Sequence, residues 1–229
     1  MMKELFLTAF PDKPIRVLEV GVWYGLGSTD IWLSHCPPGS ELFLVDAWAP
    51  FSSAEDLQDP GWNYKQVDDL STDAFLSAYL NTKRKADERR SDRVKVHLTR
   101  ADASSFLPIL AADTFDFIYL DGDHKYEKAK LDLQQAKRLI KKDFGIICGD
   151  DLEVLPTPEL YTLSQQFPNR DFLREPHNFH PGVLASVYEE FKRVNMVNGF
   201  WWIFCIDSQF TTDAMKLRPR ATLDVNPIP

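Results

Sequence analysis

The pattern of this chain predicts an α/β fold in which a mostly parallel sheet carries helices on both faces. Three observations predict it. Short apolar runs alternate with segments of helical periodicity, and strands separated by helices imply parallel crossovers. The last two apolar runs flank Asn198-Gly199, the preferred two-residue turn of an antiparallel hairpin, because both central positions need positive φ. Glycine is scarce, with 10 in 229 residues where average usage would give roughly 16. Three of the ten, Gly21, Gly25 and Gly27, nevertheless crowd one seven-residue window.

Taken in order, Ile15 to Val20 reads as a buried strand bounded by Pro14 and Gly21, and Gly25 to Ser34 as a helix with Ile31 and Trp32 inward. Glu41 to Val45 is the second strand, Ala74 to Arg90 a helix, Val94 to Leu98 the third strand and Ser104 to Leu110 a short helix. Phe115 to Leu120 is the fourth strand. Glu127 to Lys141 is the clearest helix, since Ala129, Leu133, Ala136 and Ile140 share one face with lysines and acids opposite. Phe144 to Cys148 is the fifth strand and Pro181 to Arg193 a helix. Arg193 to Val197 and Phe200 to Ile206 form the hairpin, which places an antiparallel strand at or near a sheet edge. Two irregular stretches, 48–69 and 152–180, leave the carboxyl ends of strands, where ligands bind in open α/β sheets. They are expected to be active-site or lid loops of a single domain spanning residues 1–229.

Composition narrows the function classes. A formal charge of −8, from 34 acids and 26 basic residues, argues against a nucleic-acid partner, which needs clustered positive charge. The basic stretch Lys83, Arg84, Lys85, Arg89, Arg90 and Arg93 is interrupted by Asp87, Glu88 and Asp92 and reads as a solvated helix. No apolar run approaches the roughly 18 residues that would cross a bilayer, so no membrane partner is expected. Met1 to Phe10 is too short for a signal-peptide core. Cys36, Cys148 and Cys205 are too few and too far apart for a disulfide framework or zinc site, and a cytoplasmic setting is the default.

Two constellations carry chemistry. In the first, the strand Val17-Leu18-Glu19-Val20 runs through Gly21-Val22-Trp23-Tyr24-Gly25-Leu26-Gly27 into a helix opened by Ser28. Glycines let the backbone approach a ligand, and a helix start offers unpaired N–H groups. Asp46 closes the second strand, 27 residues after Glu19, where a carboxylate can accept hydrogen bonds from ribose hydroxyls. A purely structural turn with Asp46 as a loop acid is the competing reading. The glycine spacing is not that of a dinucleotide fingerprint. The negative Glu19 beside the turn suits a cofactor with an ammonium and a sulfonium better than a pyrophosphate.

In the second constellation, the fourth strand ends Tyr119-Leu120-Asp121-Gly122-Asp123-His124-Lys125-Tyr126-Glu127 and the fifth runs into Gly149-Asp150-Asp151. Adjacent strands would bring these acids to one edge, where they repel unless a proton or cation intervenes. Oxygen ligands suit a hard ion such as Mg²⁺. The bland alternative has Asp123 and Asp151 capping the segments that follow. His124, three residues past Asp121, could take a proton from a substrate hydroxyl, and Asp123 competes for that role.

These motifs, with His180-Pro181-Gly182-Val183, resemble the class I S-adenosylmethionine-dependent methyltransferases. They most resemble the bacterial small-molecule branch that includes the macrocin-type sugar O-methyltransferases, over about Ile15 to Ile206. The resemblance implies a Rossmann-like seven-stranded sheet of order 3-2-1-4-5-7-6 with the last strand antiparallel. It implies that Glu19, Gly21, Val22, Trp23, Gly25, Gly27 and Ser28 hold the methionine portion of the cofactor and Asp46 the ribose. Ala47 and Trp48 would lie beside the adenosine and Asp102, Ala103 and Ser104 along the adenine, with Asp121 also facing the cofactor. Mg²⁺ would bind Asp121, Asp150 and Asp151. The proton acceptor is Asp123 in sugar-type members, while a lysine takes the place of His124 in catechol-type members, so both residues stay open as catalytic base.

The chain departs from the pattern in the bulky Trp23 and Tyr24 and in the segment Lys83 to Arg93. His177, His180, Trp48, Phe51, Trp62 and Tyr64 are candidates to line the pocket, with capping or packing the plainer role for the histidines. The expected reaction is methyl transfer to a hydroxyl of a small molecule, with a second copy of the chain an allowed partner. A nicotinamide-dependent oxidoreductase and a non-catalytic scaffold on the same fold are the alternatives.

Overall fold

Apolar residues on both faces of each central strand demand cover on both sides. The computed structural model, which describes residues 1–58, 71–88 and 94–213, supplies it. Strands β1 (Arg16–Val20), β2 (Ser40–Asp46), β3 (Val94–Arg100), β4 (Phe117–Leu120) and β5 (Phe144–Leu152) pair in parallel. Strand β7 (Gly199–Ile206) runs antiparallel to β5, and β6 (Asn195–Val197) antiparallel to β7. The order β3-β2-β1-β4-β5-β7-β6 is the expected one. Asn198 and Gly199 adopt φ of 48° and 88°, as the hairpin requires.

The sheet has eight strands rather than seven. The extra one, β8 (Gln209–Thr211), folds back on β7 beyond β6, so that Phe204 pairs with Thr211. Its turn is Asp207-Ser208, with φ of 49° and 65°. Serine is an unusual occupant of the left-handed region, and the turn carries none of the glycine signal that marked the first hairpin.

Helices cover both faces: α1 (Met2–Ala9), α2 (Ser28–His35), α3 (Ser71–Glu88), α4 (Ala103–Phe106), α5 (Tyr126–Leu139), α6 (Pro158–Ser164) and α7 (Pro181–Phe191). Two of these were not expected. In α1, Phe6 is fully buried and packs on Trp32 and Phe117 at 5.1 and 5.2 Å. Helix α6 lies inside the stretch read as irregular; Thr157 caps it by accepting from Leu160 N–H at 3.3 Å, and Pro158 opens its first turn. Strand β5 also runs past Cys148, so Asp150 and Asp151 lie within it rather than beyond its end. A register shift between Gly149 and Leu152 makes this tenable. Of the stretch 48–69, residues 59–70 lie outside the described residues, as do residues 89–93 of the basic segment.

The sheet divides the core in two by period-2 alternation. Leu18, Ile118 and Ile147 point to one cluster, with Leu133, Leu184 and Trp201. Val17, Phe117, Tyr119, Ile146 and Cys148 point to the other, with Phe6, Trp32 and Phe204. Cys36, Cys148 and Cys205 are all buried. Among the described residues, no helix is long and apolar enough to cross a membrane.

Candidate functional site

The site is assembled at the carboxyl ends of β1, β2, β3, β4 and β5. Glu19 is fully buried near the end of β1. Its carboxyl accepts hydrogen bonds from the Ser28 hydroxyl and, at 2.9 Å, from the Thr29 hydroxyl in the first turn of α2. Burial pushes its pKa up to about 8, only partly offset by those hydroxyls. Glu19 thus braces the helix start from behind. Gly21 follows at φ 88°, and a Cβ there would lie 1.7 Å from the Asp121 carbonyl oxygen. The turn therefore presses directly on the end of β4, and only glycine fits. Gly25 packs on Ala78 of α3, whereas Gly27, the N-cap of α2, has open space where its Cβ would be.

Asp46 spends its carboxylate on backbone. Its Oδ2 accepts from the N–H groups of Val22 and Trp23, both at 2.9 Å, and its Oδ1 from Trp48 N–H at 2.7 Å. The Trp48 indole is buried, donates to the Trp23 carbonyl at 2.8 Å and meets Phe75 edge-on at 5.0 Å. Its side chain is a packing element beneath the turn. Beyond β3, Asp102 caps α4 by accepting from Ser104 N–H at 2.8 Å, and accepts from Lys128 Nζ at 2.6 Å. The lysine and Ser104 hold Asp102 below its ordinary pKa. Nearby Asp132 of α5 is buried, and that burial lifts its pKa to about 7.

One cavity of about 1060 Å³ connects these parts. Its wall includes Gly21, Val22, Trp23, Gly27 and Ser28, then Asp46, Ala47 and Trp48, then Asp102, Ala103 and Ser104. At its other side stand Asp121, Asp123, His124 and Asp150. Of the residues expected to bind cofactor, Glu19 and Gly25 stand behind the wall.

The acids of β4 and β5 meet two imidazoles. Asp121 Oδ2 accepts from the Tyr119 hydroxyl at 3.1 Å. Burial and the charges of Asp151 and Asp121 lift Asp150 to a pKa of about 6. Asp151, at φ 65° in the irregular part of β5, turns its carboxylate to His124 Nε2 at 3.0 Å and His180 Nδ1 at 3.6 Å. Burial alone would raise its pKa, but the imidazoles more than offset this and hold Asp151 well below the usual carboxylate range. His124 Nδ1 lies 3.1 Å from Asp171 Oδ1. Burial opposes its charge, yet Asp121, Asp151 and Asp171 together raise its pKa well above the ordinary value. The two rings meet edge to face, 4.5 Å apart.

Asp123 does not cap α5, whose N-cap is Lys125. It accepts from Lys125 N–H at 3.0 Å, while Lys125 Nζ donates to the Phe51 carbonyl at 2.6 Å and stands 3.5 Å from Asp56. Asp56 in turn accepts from Asp171 N–H at 3.1 Å, tying the loop after β2 to the stretch before α7. The structure thus brings Asp121, Asp123, His124, Asp150 and Asp151 together with His180, one of the histidines expected to line the pocket, and adds Glu153 and Asp171. Asp171 sits in a stretch with no period to read. His177 is exposed, and Trp62 and Tyr64 lie outside the described residues.

Residues 18–152 match the model of a family described as a methyltransferase domain. The fold is similar to that of an O-methyltransferase from Bacillus cereus solved with SAH, at TM-score 0.52 and 17% identity over 90% of this chain and 78% of that one. A candidate O-methyltransferase from Nostoc punctiforme PCC 73102 is similar at TM-score 0.50 and 13% identity, over 92% of this chain and 54% of that one. No curated protein sequence matches the chain.

Proposed function

Because the chain belongs to the methyltransferase-domain family, we propose that it moves a methyl group from S-adenosylmethionine to a hydroxyl oxygen of a small molecule. The observation that carries this reading is the single cavity running from the glycine turn to Asp121, Asp123, His124 and Asp150. The open space at Gly27 fits the methionine end of the cofactor, and Asp46, Ala47, Asp102 and Ser104 fit its nucleoside end. When bound, the cofactor supplies a methyl group on a sulfonium centre, which becomes a neutral thioether as the acceptor oxygen takes the methyl.

The residues do the rest. The cavity walls hold acceptor and donor in line, and much of the rate comes from that orientation. The hydroxyl proton goes to Asp123, or to His124 in its neutral form, both on the cavity wall. A divalent cation belongs to the reading. The resemblance implies Mg²⁺ on Asp121, Asp150 and Asp151, where it would lower the acceptor hydroxyl's pKa. Family membership replaces the nicotinamide-dependent reading, and turnover separates an enzyme from a scaffold.

S-adenosylhomocysteine should raise the melting temperature, by an amount equivalent to about 2.7 kcal/mol at a hundred times Kd. No shift at millimolar ligand removes the cofactor from the reading. Asp121→Ala should abolish turnover with cofactor affinity kept within a few fold, and unchanged turnover would refute its role. Full activity in EDTA would remove the cation and leave the rest.

A further inference from the structure

The acids of the motifs read as oxygen ligands, but the fold sets two imidazoles against them. One ligand atom each from His124, Asp151 and His180 lies within 4.8 Å of the other two. His124 Nε2 is 3.0 Å from Asp151 Oδ2, and His180 Nδ1 is 3.6 Å from Asp151 Oδ1. Donors bound at about 2.0–2.2 Å around one ion stand about 3 to 3.6 Å apart. His124 Nε2 is buried and has no hydrogen bond of acceptable geometry, although carboxylates of Asp151 and Asp121 lie 3.0 and 3.7 Å away. A buried nitrogen left in that state costs free energy, and the carboxylates that face it favour a cation there, whether a proton or a metal ion.

Asp171 orients the His124 ring and faces that of His180. Its Oδ1 is 3.1 Å from His124 Nδ1 and its Oδ2 is 3.7 Å from His180 Nε2. This carboxylate is only 3% exposed, and its own N–H is fixed on Asp56. By accepting from His124 Nδ1 it leaves Nε2 of that ring for an ion, the arrangement that metal-binding histidines use, while His180 Nδ1, now hydrogen-bonded to Glu153 Oε1, would exchange that proton for the ion. Glu153 Oε1, which accepts from His180 Nδ1 at 2.7 Å, would be a fourth donor once the ion replaces that proton.

We propose that His124, Asp151 and His180 form a divalent-metal site, oriented by Asp171, that takes a first-row transition ion such as Zn²⁺ or Co²⁺ in preference to Mg²⁺. Mg²⁺ takes oxygen donors and gives up its water reluctantly. Imidazole suits Zn²⁺ and its first-row neighbours, and mixed nitrogen–oxygen sites bind them more tightly along the series. The inference deepens the cation part of the methyl-transfer reading; only the use of the ion in catalysis rests on that reading. With Nε2 committed to the ion, the proton falls to Asp123.

The test titrates the metal-depleted full chain with Co²⁺ and reads its visible ligand-field absorption. One equivalent should give the absorption, Zn²⁺ should abolish it, and about a hundredfold excess of Mg²⁺ should leave it. His180→Ala should abolish it, and His180→Gln, which keeps the volume, serves should the alanine variant not fold. Asp171→Asn should weaken Co²⁺ binding about 10- to 100-fold. Displacement by Mg²⁺, or unchanged Co²⁺ binding in a folded His180 variant, overturns the proposal. Stabilisation by S-adenosylhomocysteine, measured alongside, reports on the methyl-transfer reading separately: its loss with a normal Co²⁺ spectrum fails that reading and leaves the metal site standing.

Discussion

Glu19 has no solvent contact, and the hydroxyls of Ser28 and Thr29 occupy its oxygens. Folded, it titrates near 8, whereas an unfolded glutamate titrates near 4.5. Between those values the folded chain holds a proton that the unfolded chain has lost. Stability from Glu19 is therefore full below about 4.5 and drains away as pH rises through about 8. Each unit of displacement is worth about 1.4 kcal/mol. Glu19→Gln stays neutral throughout, so its melting temperature should fall less than that of the native chain across this window. An equal fall would show that another group titrates. Gly21→Ala should cost at least 2 to 3 kcal/mol in a denaturant melt, since the left-handed backbone is strained for alanine and the Cβ meets the Asp121 carbonyl. Both residues show the limit of reading a motif by spacing. A glutamate before a glycine turn looks the same whether its carboxyl faces the cavity or the following helix. The geometry of Ser28 and Thr29 decides that here, and it exists only once α2 has packed.

At the scale of elements, strand alternation and the periodic face of α5 were legible because each is written in apolar spacing, and the Asn198-Gly199 turn because its chemistry is local. What was not legible depends on tertiary support. Helix α1 is only eight residues long, too short to be stable on its own propensity, and is held by Phe6 against Trp32 and Phe117. Phe6→Ala should therefore cost about 3–5 kcal/mol, read in a denaturant melt. A cost under 1 kcal/mol would mean that α1 does not anchor this face. Helix α6 carried a sequence signal, Thr157-Pro158, but its short length hid it in a stretch that otherwise has no period. The overrun of β5 past Cys148 comes from its antiparallel partner β7, a pairing that residues 149–152 alone cannot announce.

For the whole molecule, the sheet is shared by two cores, with Trp32 buried on one face and Trp201 on the other. Every central strand contributes to both, so neither core can melt alone. Tryptophan fluorescence of Trp32→Phe and Trp201→Phe variants should follow one transition that coincides with loss of helical signal. Separate midpoints would show that the two faces unfold independently. The charge of −8 has a local expression as well: Asp121, Asp150, Asp151, Asp171 and Glu153 crowd around the rings of His124 and His180.

The bond from Asp171 N–H to Asp56 links positions 115 residues apart. Closing so wide a loop is an entropic debt that is settled late, after local turns and neighbouring strands have formed. A chain emerging during synthesis has its glycine turn early, whereas Asp171 follows strands β1 to β5. Occupancy at the histidine cluster thus depends on closing that wide loop, and its donors should part when the loop opens.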